Sequence, residues 1–168
     1  MKKFRLMWDK DEEQAWLEEM CGQGWGFTRF FLGVYTFEPC EPGEYHYQVD
    51  LLDNWGGERE EYTRFMEESG VEVLCQWYRW VFLRKKAADG PFEMYSDQSS
   101  RIAHYEKIRT FFGVGAVLEL ICLFMTLPGA MTLGGAAWGS PALLVLLAGV
   151  LGQACYKTQQ KIKKMRQG

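Results

Sequence analysis

Residues 111–156 form a run of 46 residues with a single formal charge, Glu119. A helix needs about 20 apolar residues to cross a hydrocarbon core of roughly 30 Å, so the run is long enough for two crossings. Leu127, Pro128 and Gly129 interrupt it near the middle, as does a second Gly/Pro cluster over residues 134–141. The run therefore reads as two spans, about residues 111–131 and 138–156, joined by a very short turn. Arg109 closes it on one side and Lys157 on the other.

The rest of the chain has the size of one water-exposed domain. Residues 1–110 hold 14 Lys and Arg against 21 Asp and Glu, whereas residues 111–168 hold 5 against 1. A domain at −7, with no cluster of basic residues along its sequence, repels phosphate backbones, and no nucleic-acid partner is expected. Basic residues close to span ends are retained on the cytoplasmic side. Arg101, Lys107 and Arg109 precede the first span, Lys157, Lys161, Lys163, Lys164 and Arg166 follow the second, and the turn between has none. The expected placement is the cell membrane, multi-pass with two spans, both termini cytoplasmic. Residues 1–8 lead into acidic sequence without the apolar run of a cleavable signal peptide. Cys21, Cys40, Cys75, Cys122 and Cys155 include no C-x-x-C pair, and an odd count in a reducing compartment argues against a disulfide framework. His46 and His104 are the only histidines, so neither a metal site nor a cofactor is expected.

Within the domain, residues 3–8 alternate with a period of two, as a strand does. Asp9 with Glu12 forms a capping box ahead of an apolar stripe through Ala15, Trp16, Leu17, Met20 and Cys21, and Gly22 and Gly24 end that helix. Residues 25–52 read as three short strands: 27–32, 34–38 and 45–51, the last with Tyr45, Tyr47, Val49 and Leu51 on one face. Residues 53–57 read as a loop. Residues 58–69 return to helical spacing, with Tyr62, Phe65 and Met66 inward and Gly70 past the end. Two strands follow, 71–77 and 79–85, with Val71, Val73, Cys75 and Trp77 sharing a face. The order strand, helix, three strands, helix, two strands predicts an α+β domain over residues 1–90: a ferredoxin-like antiparallel sheet with two helices on one face. A juxtamembrane linker and helix over 91–110, capped by Ser96 or Asp97, can run without interruption into the first span. The transmembrane helical hairpin then occupies 111–156 and a basic cytoplasmic tail 157–168.

Glu13, Trp16, Leu17, Met20, Gly24 and Trp25, then Tyr35-Thr36-Phe37, Tyr47 with Asp50, Gly70-Val71-Glu72, Trp80, Phe82, Arg84-Lys85, and Tyr95-Ser96-Asp97 with Ser99, make an ordered series. It resembles the bacterial "domain of unknown function 2812" family over about residues 2–108. The resemblance implies a cytoplasmic domain followed by membrane spans, in bacterial proteins whose genes often sit near transcriptional regulators of the PadR type. It implies no activity and no catalytic residues.

Few residues suggest chemistry. The glycines at 22, 24 and 26 follow a helix, whereas a phosphate cradle needs them between a strand and a helix, so they read as a C-cap and turn. The carboxylates at 9–13 and 58–61 sit at helix starts, where they complement the macrodipole. No Ser/His/Asp set stands out and no enzyme is expected. The aromatic residues are more suggestive. Trp25, Tyr35, Tyr47, Trp77 and Trp80, with Phe37, Tyr45, Trp55, Tyr78 and Phe82, exceed what one buried sheet face consumes, and they form a recognition surface unless the added strands fold over them. A carboxylate within a span is costly, from about 2.5 kcal/mol upward on insertion scales, so Glu119 is a functional candidate by default. Ala148-x-x-x-Gly152 in the second span, and Gly113, Gly115 and Ala116 in the first, offer small-residue surfaces for close helix packing. Glu119, Ala148 and Gly152 together suggest an intramembrane interface with a membrane-protein partner or a second copy, a proton or ion path being the sharper alternative. The tail's basic residues suit an anionic lipid surface, and the bilayer is itself an expected partner.

Two functional readings follow. One is a membrane-anchored cytoplasmic sensing or protein-interaction module, regulatory rather than catalytic. The other is an accessory subunit of a transporter or other membrane complex, assembled through the spans and Glu119.

Overall fold

The computed structural model describes residues 1–52, 59–92, 94–95 and 97–167. The loop expected at 53–57, Trp55 within it, and the alternative cap Ser96 lie outside the described residues. The chain divides into two compact units, Met1–Met94 and Tyr95–Gly168.

The first unit contains β1 (Lys2–Phe4), α1 (Lys10–Gly22), β2 (Trp25–Phe31), β3 (Val34–Pro39), β4 (Tyr45–Leu51), α2 (Arg59–Glu68), β5 (Glu72–Trp77) and β6 (Trp80–Lys86). Asp9 caps α1 by accepting a hydrogen bond from the Asp11 N–H at 3.0 Å. Gly24, at φ +84, lets the chain leave the helix while its N–H donates to the Cys21 carbonyl at 2.9 Å. The end of α2 is similar: Gly70 takes φ +75, and the Val71 N–H reaches back to the Met66 carbonyl at 2.9 Å.

The α+β class is as expected, but the strands form two three-stranded antiparallel sheets, ordered β1-β3-β2 and β4-β6-β5. The two helices also lie on opposite faces of the second sheet. Val49 pairs with Phe82 and packs with Trp16, Leu17 and Met20 of α1. Val81 and Leu83 alternate with Phe82 and so point the other way, into a second core with Met66 and Tyr62 of α2. The physical reason is that β6 is apolar at three successive positions, Val81 to Leu83, all buried. A strand of that pattern needs cover on both sides.

Two smaller expectations also fail. Phe65 is exposed, and Met66 and Tyr62 carry the packing of α2. A β-bulge between Val73 and Cys75 breaks the expected shared face, leaving Val73 against the second core and Cys75 against the first.

The second unit is a helical hairpin of α3 (Gln98–Leu133) and α4 (Gly139–Gln167) joined by a short 3-10 turn over Gly135–Trp138. Asp97 caps α3 by accepting from the Ser100 N–H at 3.0 Å. The helix continues through Pro128 rather than ending there, and the chain turns at Gly134 and Gly135, both at positive φ. Proline near the end of a helix removes one hydrogen bond without ending it. Two helices, Gln98–Leu133 and the segment Gly135–Gln167 that contains α4, are long and apolar enough to cross a membrane.

Candidate functional site

The hairpin seam follows from helical periodicity. On α3 the less exposed positions His104, Ile108, Phe112, Gly115, Glu119, Leu123, Thr126 and Ala130 recur every three or four residues. On α4, Pro141, Leu144, Ala148, Leu151, Ala154, Thr158 and Ile162 do the same. Gly115 permits close approach: a Cβ there would lie 3.4 Å from Leu151 Cδ1. At the end of the seam nearest the chain's polar segments, Arg109 donates to Gln159 Oε1 at 2.8 Å, Arg166 to Glu106 Oε1 at 2.6 Å, and the Gln98 amide to the Met165 carbonyl. The outward side is apolar, with Val117, Leu118, Phe124, Met125, Leu143 and Leu146 all more than half exposed.

Glu119 lies on the seam side of α3. Its Oε2 atom is buried and has no hydrogen-bond partner among the described residues. From the contact of Gly115 with Leu151, one turn along α3 brings Glu119 about level with Leu147 and Ala148. Ala148 is half-buried on that side, whereas Gly152 is exposed, and a Cβ added to it would meet nothing within 4 Å. The seam therefore gathers Glu119 and Ala148, and Gly152 is not part of it.

The aromatic residues are distributed differently from the expected surface. Tyr35 and Tyr47 are each 1 % exposed, at the centre of the first core. Phe37 and Phe82 are buried with them in that core, whereas Tyr78 is 52 % exposed. Trp16 meets Tyr35 edge-on at 4.9 Å and Phe37 at 5.6 Å, and Phe30 stacks obliquely on Phe82 at 5.1 Å. The Tyr47 hydroxyl accepts from the Phe27 N–H at 2.9 Å, which anchors β2 against β4. Trp25 and Trp80 are half-buried against this core, and Trp77 packs on Phe30 at 5.6 Å. Neither Tyr35 nor Tyr47 can belong to a recognition surface.

Two polar features of the domain had no clear signal in the sequence. The first pairs Glu13 of α1 with Tyr35, whose hydroxyl donates to Glu13 Oε1. Burial pushes the Glu13 carboxyl up to about 7, the hydrogen bond offsetting only part of that rise. Burial and the neighbouring Glu13 charge raise the Tyr35 phenol further above its ordinary range. The periodicity that buries Trp16, Leu17 and Met20 carries Glu13 along, because it lies three and four residues before Trp16 and Leu17 on the same side. The second feature is Cys21 and Cys40, whose sulfurs lie 3.8 Å apart. Burial and the adjacent Cys21 thiol push Cys40 up to about 11, so its free thiolate is scarcely populated near neutral pH. Among the described residues no group of His, Cys, Asp and Glu is placed to hold a metal ion.

An α+β domain with a two-sided second sheet, followed in the same chain by a hairpin with an apolar exterior and a buried carboxylate on its seam, defines the class. Within it, residues 9–117 match the model of the family described as "Protein of unknown function (DUF2812)", and the chain belongs to that family. The match begins just before α1, leaves β1 outside, and runs through the rest of the first unit into α3. Neither the curated proteins nor the solved structures contain a match.

Proposed function

We propose that the protein is a membrane-anchored interaction module, in which α3 and α4 span the cell membrane, both termini lie in the cytoplasm, and the α+β domain binds a regulatory partner there without catalysing a reaction. The observation that carries this reading is the division of the chain into a domain with its own two cores and a hairpin whose outward side is apolar. The hairpin is suited to lipid and the domain to water. The basic residues at 101–109 and 157–166, against none in the turn, support the orientation. The hairpin over residues 111–156 is exchanged for an unrelated two-span hairpin, and partners are crosslinked in living cells. On this reading the crosslinked species are those of the native chain, and their loss defeats it.

Glu119 supports a second reading, an accessory subunit of a membrane complex. A buried carboxylate oxygen without a partner on a span is the kind of group that another span satisfies. On that reading the hairpin exchange, and Glu119→Leu alone, both remove the crosslinked partner.

A further inference from the structure

On the face of the β1-β3-β2 sheet turned away from α1, the side chains around the β2–β3 turn are exposed, and Val34 and Thr36 are half-buried. Register places Phe4 and Phe31 beside Val34 on this face, while Tyr35 and Phe37 point into the core. Phe4 is 68 % exposed, Leu6 61 %, Phe31 63 % and Leu32 58 %. A Cβ added to Gly33 would come within 3.0 Å of both the Phe4 and Leu6 side chains, so these close over the β2–β3 turn and form one patch with it. Lys2 and Arg29 both pair with Thr36 and are exposed on the same face. The acidic Glu38 is at the far end of β3 from the turn.

The turn itself breaks a local rule. Leu32 and Gly33 form a two-residue hairpin connection, at φ +45 and +80. Such a connection favours Asn, Asp or Gly at its first position, where the left-handed backbone penalises a Cβ-bearing side chain. Leucine here carries that strain and gains no burial in return. Positions where local preference, patterning and burial disagree are where a compensating function is found.

We propose that this face docks on an anionic bilayer surface, with Phe31 and Leu32 entering the interfacial layer and Lys2 and Arg29 meeting the anionic headgroups. The proposal rests on the reading that α3 and α4 span a bilayer, which tethers the domain beside one. Two observations favour lipid over a protein partner. The apolar side chains project from a hairpin tip rather than lining a groove. The basic residues flank that tip, although residues 1–110 carry a net −7. A cationic rim around a protruding apolar tip is the pattern that binds anionic interfaces.

Hydrogen exchange on the full chain in nanodiscs, with and without phosphatidylglycerol in a phosphatidylcholine bilayer, tests this. Exchange in residues 1–8 and 29–34 is expected to be at least about fivefold slower with the anionic lipid, the discrimination that one basic side chain supplies at such a surface. Leu32→Asn, which creates the Asn-Gly pair that this turn favours and so keeps the fold, removes the difference. Arg29→Glu does the same, and exchange within α1 stays unchanged in both variants. If residues 111–156 are protected but residues 1–8 and 29–34 exchange equally in both lipids, docking is overturned and the spanning reading stands. Slowing that ignores lipid charge and rises with the number of chains per disc assigns the face to a second copy and also overturns it. Fast exchange across residues 111–156 in both lipids defeats the spanning reading, and the docking proposal with it.

Discussion

Glu13 lies on the inner side of α1 with its carboxyl against the Tyr35 hydroxyl, and its folded-state pKa of about 7 exceeds the ordinary value of 4.5. The folded domain therefore holds a proton that the unfolded chain releases between about pH 4.5 and 7. The stability contributed is fully present below the lower value and is lost as pH rises through the upper one. Urea unfolding of the nanodisc-embedded chain, followed by near-ultraviolet dichroism of the domain tryptophans, is expected to show about 1–3 kcal/mol less stability at pH 8 than at pH 5 from this group. Glu13→Gln flattens that dependence, and an unchanged slope in the variant would show that other groups set it. Leu32 supplies a second test of local strain. Leu32→Asn is expected to raise domain stability by up to about 1 kcal/mol, read as a higher urea midpoint at constant m. At this scale the sequence was partly legible. The capping of α1 by Asp9 and the turn at Gly24 can be read from residue order alone. The partnership of Glu13 with Tyr35 cannot, because it depends on how α1 sits on β3.

The boundary from α1 to β2 was legible to within a residue or two, whereas the strand expected over residues 3–8 ends at Phe4, and faces were legible where alternation is unbroken, as along β4. They were lost where the backbone itself shifts register. The bulge at Val73/Cys75 moves half of β5 to the other face, and no residue of Glu72–Trp77 announces it. The opposite placement of α1 and α2 was foreshadowed only by the apolar run Val81 to Leu83, a pattern that one-sided sheets do not need. In the hairpin, periodicity put Glu119 on the seam of α3, and its buried oxygen gives a test at the scale of the helix pair. Glu119 Oε2 is buried without a partner among the described residues, and an ionisable side chain at the centre of a span costs about 2.5 kcal/mol on insertion scales. Glu119→Leu is therefore expected to stabilise the isolated hairpin by roughly 2 kcal/mol in a denaturing-detergent titration of helix content. A variant that unfolds earlier than the native chain would mean that the carboxylate has a satisfying partner within the hairpin.

At the scale of the molecule, composition divides the chain into a charged part and an apolar part but averages away what lies within each. A net charge of −7 over residues 1–110 gave no hint that Lys2 and Arg29, 27 positions apart, meet across Thr36 on one sheet face. Folding brought them together, so only the register of β1 and β2 on β3 could reveal it. The same division makes a thermodynamic prediction. The domain has two apolar cores of its own, and the hairpin is held by its own seam, so the two units have separate sources of stability. Trp16 anchors the first core against Tyr35, Phe37 and the Arg5 guanidinium, which lies 5.0 Å from its ring. Trp16→Ala is expected to destabilise the domain by about 3–5 kcal/mol, as large aromatic truncations in cores do. In the nanodisc-embedded chain, urea should then abolish the near-ultraviolet signal of the domain at a lower concentration, while protection of amides in residues 111–156 is unchanged. If the hairpin amides lose protection at that same lower concentration, the cores are coupled through the start of α3. The chain would then behave as one cooperative body, able to pass a change in the domain to the hairpin helices. Independent transitions would instead leave the hairpin as a passive tether.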